Sequence, residues 1–172
     1  MPEAESAPAV LCLHPTDNRV GHQVVLGIAG RPNRQYAAEL AERGYVTLAP
    51  SYPLLAKYHP DIRELGWESG TLKAVWDNQR GLDLLESLPF VDARRFAAIG
   101  HSLGGHNSVY TAVFDPRIEV VVSSCGISSC CVAFQSPNAM KSNPVETAHS
   151  IACFVSVCLD SAIACDWPAG MY

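Results

Sequence analysis

The 172-residue chain is 48% apolar and 17% charged, an ordinary globular composition with enough length for one buried core and too little charge for a disordered segment. Its net charge of −5 without a basic run argues against nucleic acid as a partner. No apolar stretch approaches the ~18 residues that cross a bilayer, and the acidic start MPEAESAPAV lacks the basic and long apolar regions of an export signal. The expectation is therefore a cytoplasmic, non-membrane protein.

Ala9-Val10-Leu11-Cys12-Leu13 is a continuous apolar run, the pattern of a strand buried on both faces. His14-Pro15-Thr16-Asp17 must turn away, because Pro15 has no N–H to give a ladder. After a loop with Gly21, Gly27, Gly30 and Pro32, Asn33 reads as the N-cap of a helix over Arg34 to Arg43, with Tyr36, Ala37, Leu40 and Ala41 as its apolar stripe. Gly44 stands where a helix C-terminus favours glycine. Tyr45 to Ala49 is a second strand, stopped by Pro50. A long segment with Pro50, Pro53 and Pro60 follows, of a length that inside a compact domain is usually functional. Ser69 can cap a helix from about Gly70 to Leu88, whose expected core face is Leu72, Val75, Trp76, Leu82, Leu85 and Leu88. Val91 to Arg94 reads as a turn into a strand at Phe96.

The stretch from Phe96 to Val113, FAAIGHSLGGHNSVYTAV, organises the rest. A buried-strand run is followed by Gly100-His101-Ser102-Leu103-Gly104 and then by helical periodicity. A bare Gly-x-Ser-x-Gly arises by chance in roughly one chain in twenty of this length, so the context carries the weight. Between a strand and a helix the pattern reads as a nucleophile elbow. Gly100 and Gly104 remove side chains that would collide in so tight a turn, and Ser102 stands at its tip with its hydroxyl exposed. Asp115-Pro116-Arg117 then turns the chain into a strand at Ile118 to Val122. Buried strands alternating with amphipathic helices predict an α/β fold: a mostly parallel sheet, right-handed crossovers and helices on both faces. Ligands bind such sheets at the carboxyl ends of the strands, where His14, Pro50 and Ser102 all fall.

LCLHPT, LAERGYVTLAPSYP, SGTLKAVWDNQRGLDLLESLPFVDARRFAAIGHSLGGHNS and IEVVVSSCG, within Ala9 to Ser129, resemble the α/β-hydrolase superfamily, and within it the serine hydrolases similar to dienelactone hydrolase and acetyl xylan esterase. The resemblance implies a hydrolase core over residues 1–129, acting on a small ester or lactone without a cofactor. Carried over by position, Ser102 is the nucleophile, and the backbone N–H groups of Leu103 and Thr16 hold the oxyanion. A histidine takes the serine proton and an acid orients it.

The family's order is serine, acid, then histidine. Here the histidines after Ser102 are His106 and His149, and none follows Asp160. His106 lies one turn into the elbow helix. Asp160, just past the strand candidate Ile151 to Leu159, suits the acid, which leaves His149 as the base candidate against the family's order. Residues 130–172 form a divergent, Cys-rich tail, read as a truncated or replaced C-terminus and expected to be the least ordered part. Six of the seven cysteines lie between Cys125 and Cys165, and an odd count without an export signal does not suggest a disulfide framework. His149, Cys153, Cys158 and Cys165 lack the paired C-x2-C knuckles of a structural zinc site, so no metal is expected. His101 is expected to pack against the sheet, and His22 and His59 to be solvated. Two functions follow: a serine esterase working through an acyl-enzyme, impaired for want of a recognisable base, or a non-catalytic α/β-hydrolase remnant that binds a ligand or partner.

Overall fold

A computed structural model describes residues 6–127. Its strands are β1 (Ala7–Leu13), β2 (Val46–Leu48), β3 (Val91–His101) and β4 (Ile118–Ser124), and its helices are α1 (Tyr36–Glu42), α2 (Gly70–Glu86) and α3 (Leu103–Phe114). The strands form one sheet in the order β2-β1-β3-β4, and every neighbouring pair is parallel. The chain moves outward from β1 to β2, then returns across β1 to β3. The direction of winding therefore reverses between β1 and β3, and a crevice opens beyond the carboxyl ends of those two strands. His14 and Ser102 stand there.

Successive residues of β1 face opposite sides, and both sides are covered. Ala9, Leu11 and Leu13 join Leu82 and Leu85 of α2, Phe96 and Ala98 of β3, and Val121 of β4 in one apolar core, with Val109 and Ala112 of α3 against it. Val10 and Cys12 join Val24, Val25 and Ala37 on the other side, with Tyr36 and Leu40 of α1 packed around them. A strand apolar on both faces is what the LCL run requires, and burial pushes the Cys12 thiol up to about 12, so it serves as a small core residue.

Local chemistry departs from the sequence pattern in four places. Asn33 does not cap α1: it takes a left-handed φ of 58°, the chain turns there, and Gln35 is the N-cap residue. Its side chain bonds to Glu39 one turn on. Residues Val91 to Arg94 are strand, not turn, and the register between β1 and β3 slips opposite Ala7 and Ala9. Leu72 and Trp76 of α2 are exposed, while Lys73 and Asn78 are buried. Lys73 is held by Asp77 and the Tyr58 hydroxyl, with its ammonium 4.9 Å from the centre of the Trp76 ring. The long proline-rich segment is thereby fastened to α2, which a hydrophobic pattern alone could not show. His22 is also not solvated: it is half-buried, with Nδ1 2.8 Å from the Ser51 hydroxyl. Other expectations hold. The Ser69 hydroxyl accepts the Leu72 N–H, and Gly44 follows α1 with φ +89°.

The strand start at Asp92 carries an acid-sensitive tie. Its carboxylate accepts the Arg94 backbone and side-chain N–H groups at 3.1 Å and Arg95 Nε at 2.6 Å. The bonds from Arg94, with help from Arg95, hold the carboxyl down to about 2, below the ~3.9 of an unfolded chain. A carboxyl depressed on folding contributes stability that is fully present above the unfolded value and lost as pH falls toward the folded one. Stability should therefore fall between about pH 4 and pH 2, and Asp92→Asn should flatten that fall. Urea titrations of both proteins across this range check it; parallel curves would refute it.

Candidate active site

The turn from β3 into α3 is built by exclusion of side chains. A Cβ on Gly104 would lie far inside the Leu13 carbonyl, with the carbonyl carbon at 2.6 Å. One on Gly100 would overlap the Gly104 carbonyl and come within 2.6 Å of the Gly105 nitrogen. Only glycine at both positions lets α3 start directly against the ends of β1 and β3. Ser102, between them, has φ 54° and ψ −119°, outside the regions that side-chain-bearing residues normally occupy. The surroundings hold it there: its N–H donates to the Ser124 carbonyl at 2.8 Å, and its own carbonyl accepts the His106 N–H at 2.9 Å. Such a conformation costs about 1–3 kcal/mol. Ser102→Gly should recover part of this, giving a protein at least as stable as the parent and up to about 2 kcal/mol more stable. Ser102→Ala, which keeps the Cβ, should not. Chemical denaturation separates the two, and a Gly variant less stable than the Ala variant would refute the strain.

The Ser102 side chain does not cap α3. The first N–H groups of the helix, beginning with Leu103, have no intrahelical acceptor and none from that side chain, and they concentrate partial positive charge beside the serine. On the facing side, β1 ends at Leu13, and Thr16 lies exposed in the loop that follows. Buried His14 fixes the start of that loop. Its Nε2 accepts the Tyr52 N–H at 3.0 Å, so the ring proton lies on Nδ1 and donates to the Pro15 carbonyl at 2.7 Å. Burial lowers its pKa, which keeps the ring neutral and both nitrogens committed. The anchoring of the loop by Tyr52, across from β2, has no signature in the sequence.

The other described histidines are turned to other tasks. His101 places Nδ1 3.1 Å from the Ser124 hydroxyl, with its pKa lowered by burial and by Arg34. It thus bridges to β4, as expected of a side chain packed against the sheet. His106 stacks on Tyr110 at 4.5 Å between ring centres, and its pKa is lowered by burial. His59 is exposed and bonds to the Ala56 carbonyl. None of the hydrogen bonds these rings make involves Ser102. His149 and Asp160, the base and acid candidates, lie outside the described residues, as do the tail from residue 130 and the zinc alternative. Among the described residues, no group of three or more potential ligands is placed to hold a metal ion, and no helix is long and apolar enough to cross a membrane.

No protein-family model matches the chain, and no curated protein does. Solved structures do. A protein of Bacteroides fragilis NCTC 9343 assigned as an acetyl xylan esterase superposes with a TM-score of 0.59 at 20% identity, over 70% of this chain and 38% of its own. An α/β hydrolase from Penicillium sp. sh18 gives 0.52 at 17% identity, over 72% of this chain and 38% of its own. The chain has the α/β-hydrolase fold. An acetyl xylan esterase from Paenibacillus sp. R4 gives 0.53 at 25% identity, over 71% and 40%. In each case this chain spans two fifths or less of its neighbour's length, and its described residues form four strands of that fold.

Proposed function

We propose that the chain is a serine hydrolase of small carboxylic esters or lactones that forms an acyl-enzyme on Ser102 and is impaired by a poorly placed base. The observation that carries this reading is the backbone of Ser102. A strained φ of 54°, held from both sides at the head of a helix, is kept only where the surrounding structure over-determines it, and such residues cluster at reacting centres. The esterase names of structural neighbours make an ester the natural substrate.

The proposed chemistry is acyl transfer through the serine. The Ser102 oxygen attacks the ester carbonyl as its proton passes to a base, and the carbonyl oxygen becomes an oxyanion. The Leu103 N–H, already without an acceptor in the helix, and the Thr16 N–H donate to that oxygen. Pro15 has none to give. Collapse of the adduct expels the alcohol, which takes the proton, and leaves the acyl group on Ser102; water then repeats the sequence and releases the acid. No step calls for a cofactor. The base falls to His149 and its orienting acid to Asp160.

The engagement of every described histidine elsewhere favours a second reading, a non-catalytic α/β-hydrolase remnant. Intact mass spectrometry after exposure to a fluorophosphonate separates the two. The hydrolase reading expects one adduct, mapped to Ser102 and lost in Ser102→Ala. A chain that stays unlabelled while folded, by circular dichroism, is the remnant.

A further inference from the structure

Beneath the Ser102 turn, α2 and α3 are joined by a buried polar network. Asn78 Nδ2 donates to Asn107 Oδ1 at 2.6 Å and to the Thr111 hydroxyl at 2.9 Å, and that hydroxyl donates to the Asn107 carbonyl at 2.8 Å. The orientation of the Asn107 amide is therefore set, since turning it over would face its NH2 onto that of Asn78. This leaves Asn107 Nδ2 buried without a partner among the described residues, in a residue only 2% exposed. An orphaned amide donor in such a place has given up its water without gaining a partner, and native interiors rarely tolerate it.

Asn107 also lines a small, half-open cavity of about 10 Å³, together with Leu13, His14, Ser51, Asn78 and Gly104. A cavity near 10–15 Å³ has room for one water. A buried water needs at least two polar partners, and Ser51 offers the second. Its hydroxyl is bonded to His22 Nδ1, but a hydroxyl both donates and accepts, so one capacity stays free whichever way the proton on that bond lies. We infer that this cavity is a binding site for a single ordered water, held between Asn107 Nδ2 and the Ser51 hydroxyl. The water joins two pieces of chain that the backbone leaves separate at this point, the loop after β2 and the first turns of α3, beside the start of the loop after β1. It completes the floor beside Gly104 of the Ser102 turn, and it does so whether or not Ser102 is reactive.

The test uses the full chain, nitrogen-15 labelled, and solvent water as the probe. The Asn107 side-chain NH2 should show cross-peaks to water in both laboratory-frame and rotating-frame Overhauser spectra, of opposite sign, the mark of a water that tumbles with the protein. In Ser51→Ala, which removes one partner and leaves Asn107 in place, the cross-peaks should fall several-fold. Their absence from the parent protein would overturn the site. So would equal signs in the two spectra, which report proton exchange, and so would cross-peaks unchanged by Ser51→Ala.

Discussion

Gly104→Ala should destabilise the protein by about 3 kcal/mol or more, the upper end of what overpacking costs. The obstacle is the main chain of β1, since the new methyl would meet the carbonyls of Leu13 and His14. That strand is the centre of the sheet, paired on both sides, and cannot retreat without breaking a ladder. A loss of this size is a large share of the ~5–15 kcal/mol that holds a domain folded. Gly44→Ala is the control. Gly44 has φ +89° but nothing within 4 Å of a new Cβ, so it registers backbone strain alone, about 1 kcal/mol. Midpoints of urea denaturation at unchanged slope give both values. A Gly104 variant no worse than the Gly44 variant would mean that α3 can lift off β1, and the tight turn would not be a requirement of the fold.

Those glycines also show why so much of the fold was legible in the sequence. A doubly buried strand has to be apolar at every position, so Ala9 to Leu13 and Ile118 to Val122 announce themselves. A helix packed that close to a strand must give up its side chains, so Gly100 and Gly104 do as well. Legibility fails where a polar group is satisfied by a distant partner. Lys73 is buried because Asp77 and Tyr58 receive it, and His14 is locked by the N–H of Tyr52. Asn33 turns the chain instead of capping α1. The Tyr58 and Tyr52 contacts reach across the fold, where no local pattern encodes them. The candidate site divides along the same line. Ser102 and the Leu103 N–H are set by one short turn and can be read from five residues. A base and an acid are brought to a serine by long-range folding, and the candidates His149 and Asp160 rest on their order in the chain alone.

That division sets the expected chemistry. A serine hydroxyl is a weak nucleophile until a base takes its proton, and removing the base from such a site costs on the order of a million-fold in turnover, while the oxyanion donors and binding retain roughly 10³–10⁴ over water. The Leu103 N–H, at the head of α3 beside Ser102, is the donor proposed for that remaining rate. The described histidines are not: His14 has both nitrogens engaged, His22 pairs with Ser51, His101 with Ser124, and His106 stacks on Tyr110. The purified chain should therefore hydrolyse an activated aryl ester measurably above background but far below the ordinary enzyme range of roughly 1–10³ s⁻¹. Ser102→Ala should abolish that activity, and His149→Ala should change it less than about threefold, because a base that contributes little has little to lose. Initial rates with p-nitrophenyl acetate, corrected for the buffer reaction, decide it. Turnover within the ordinary range, lost in both variants, would show that His149 reaches Ser102 after all and that the order serine, histidine, acid is a working one in this chain.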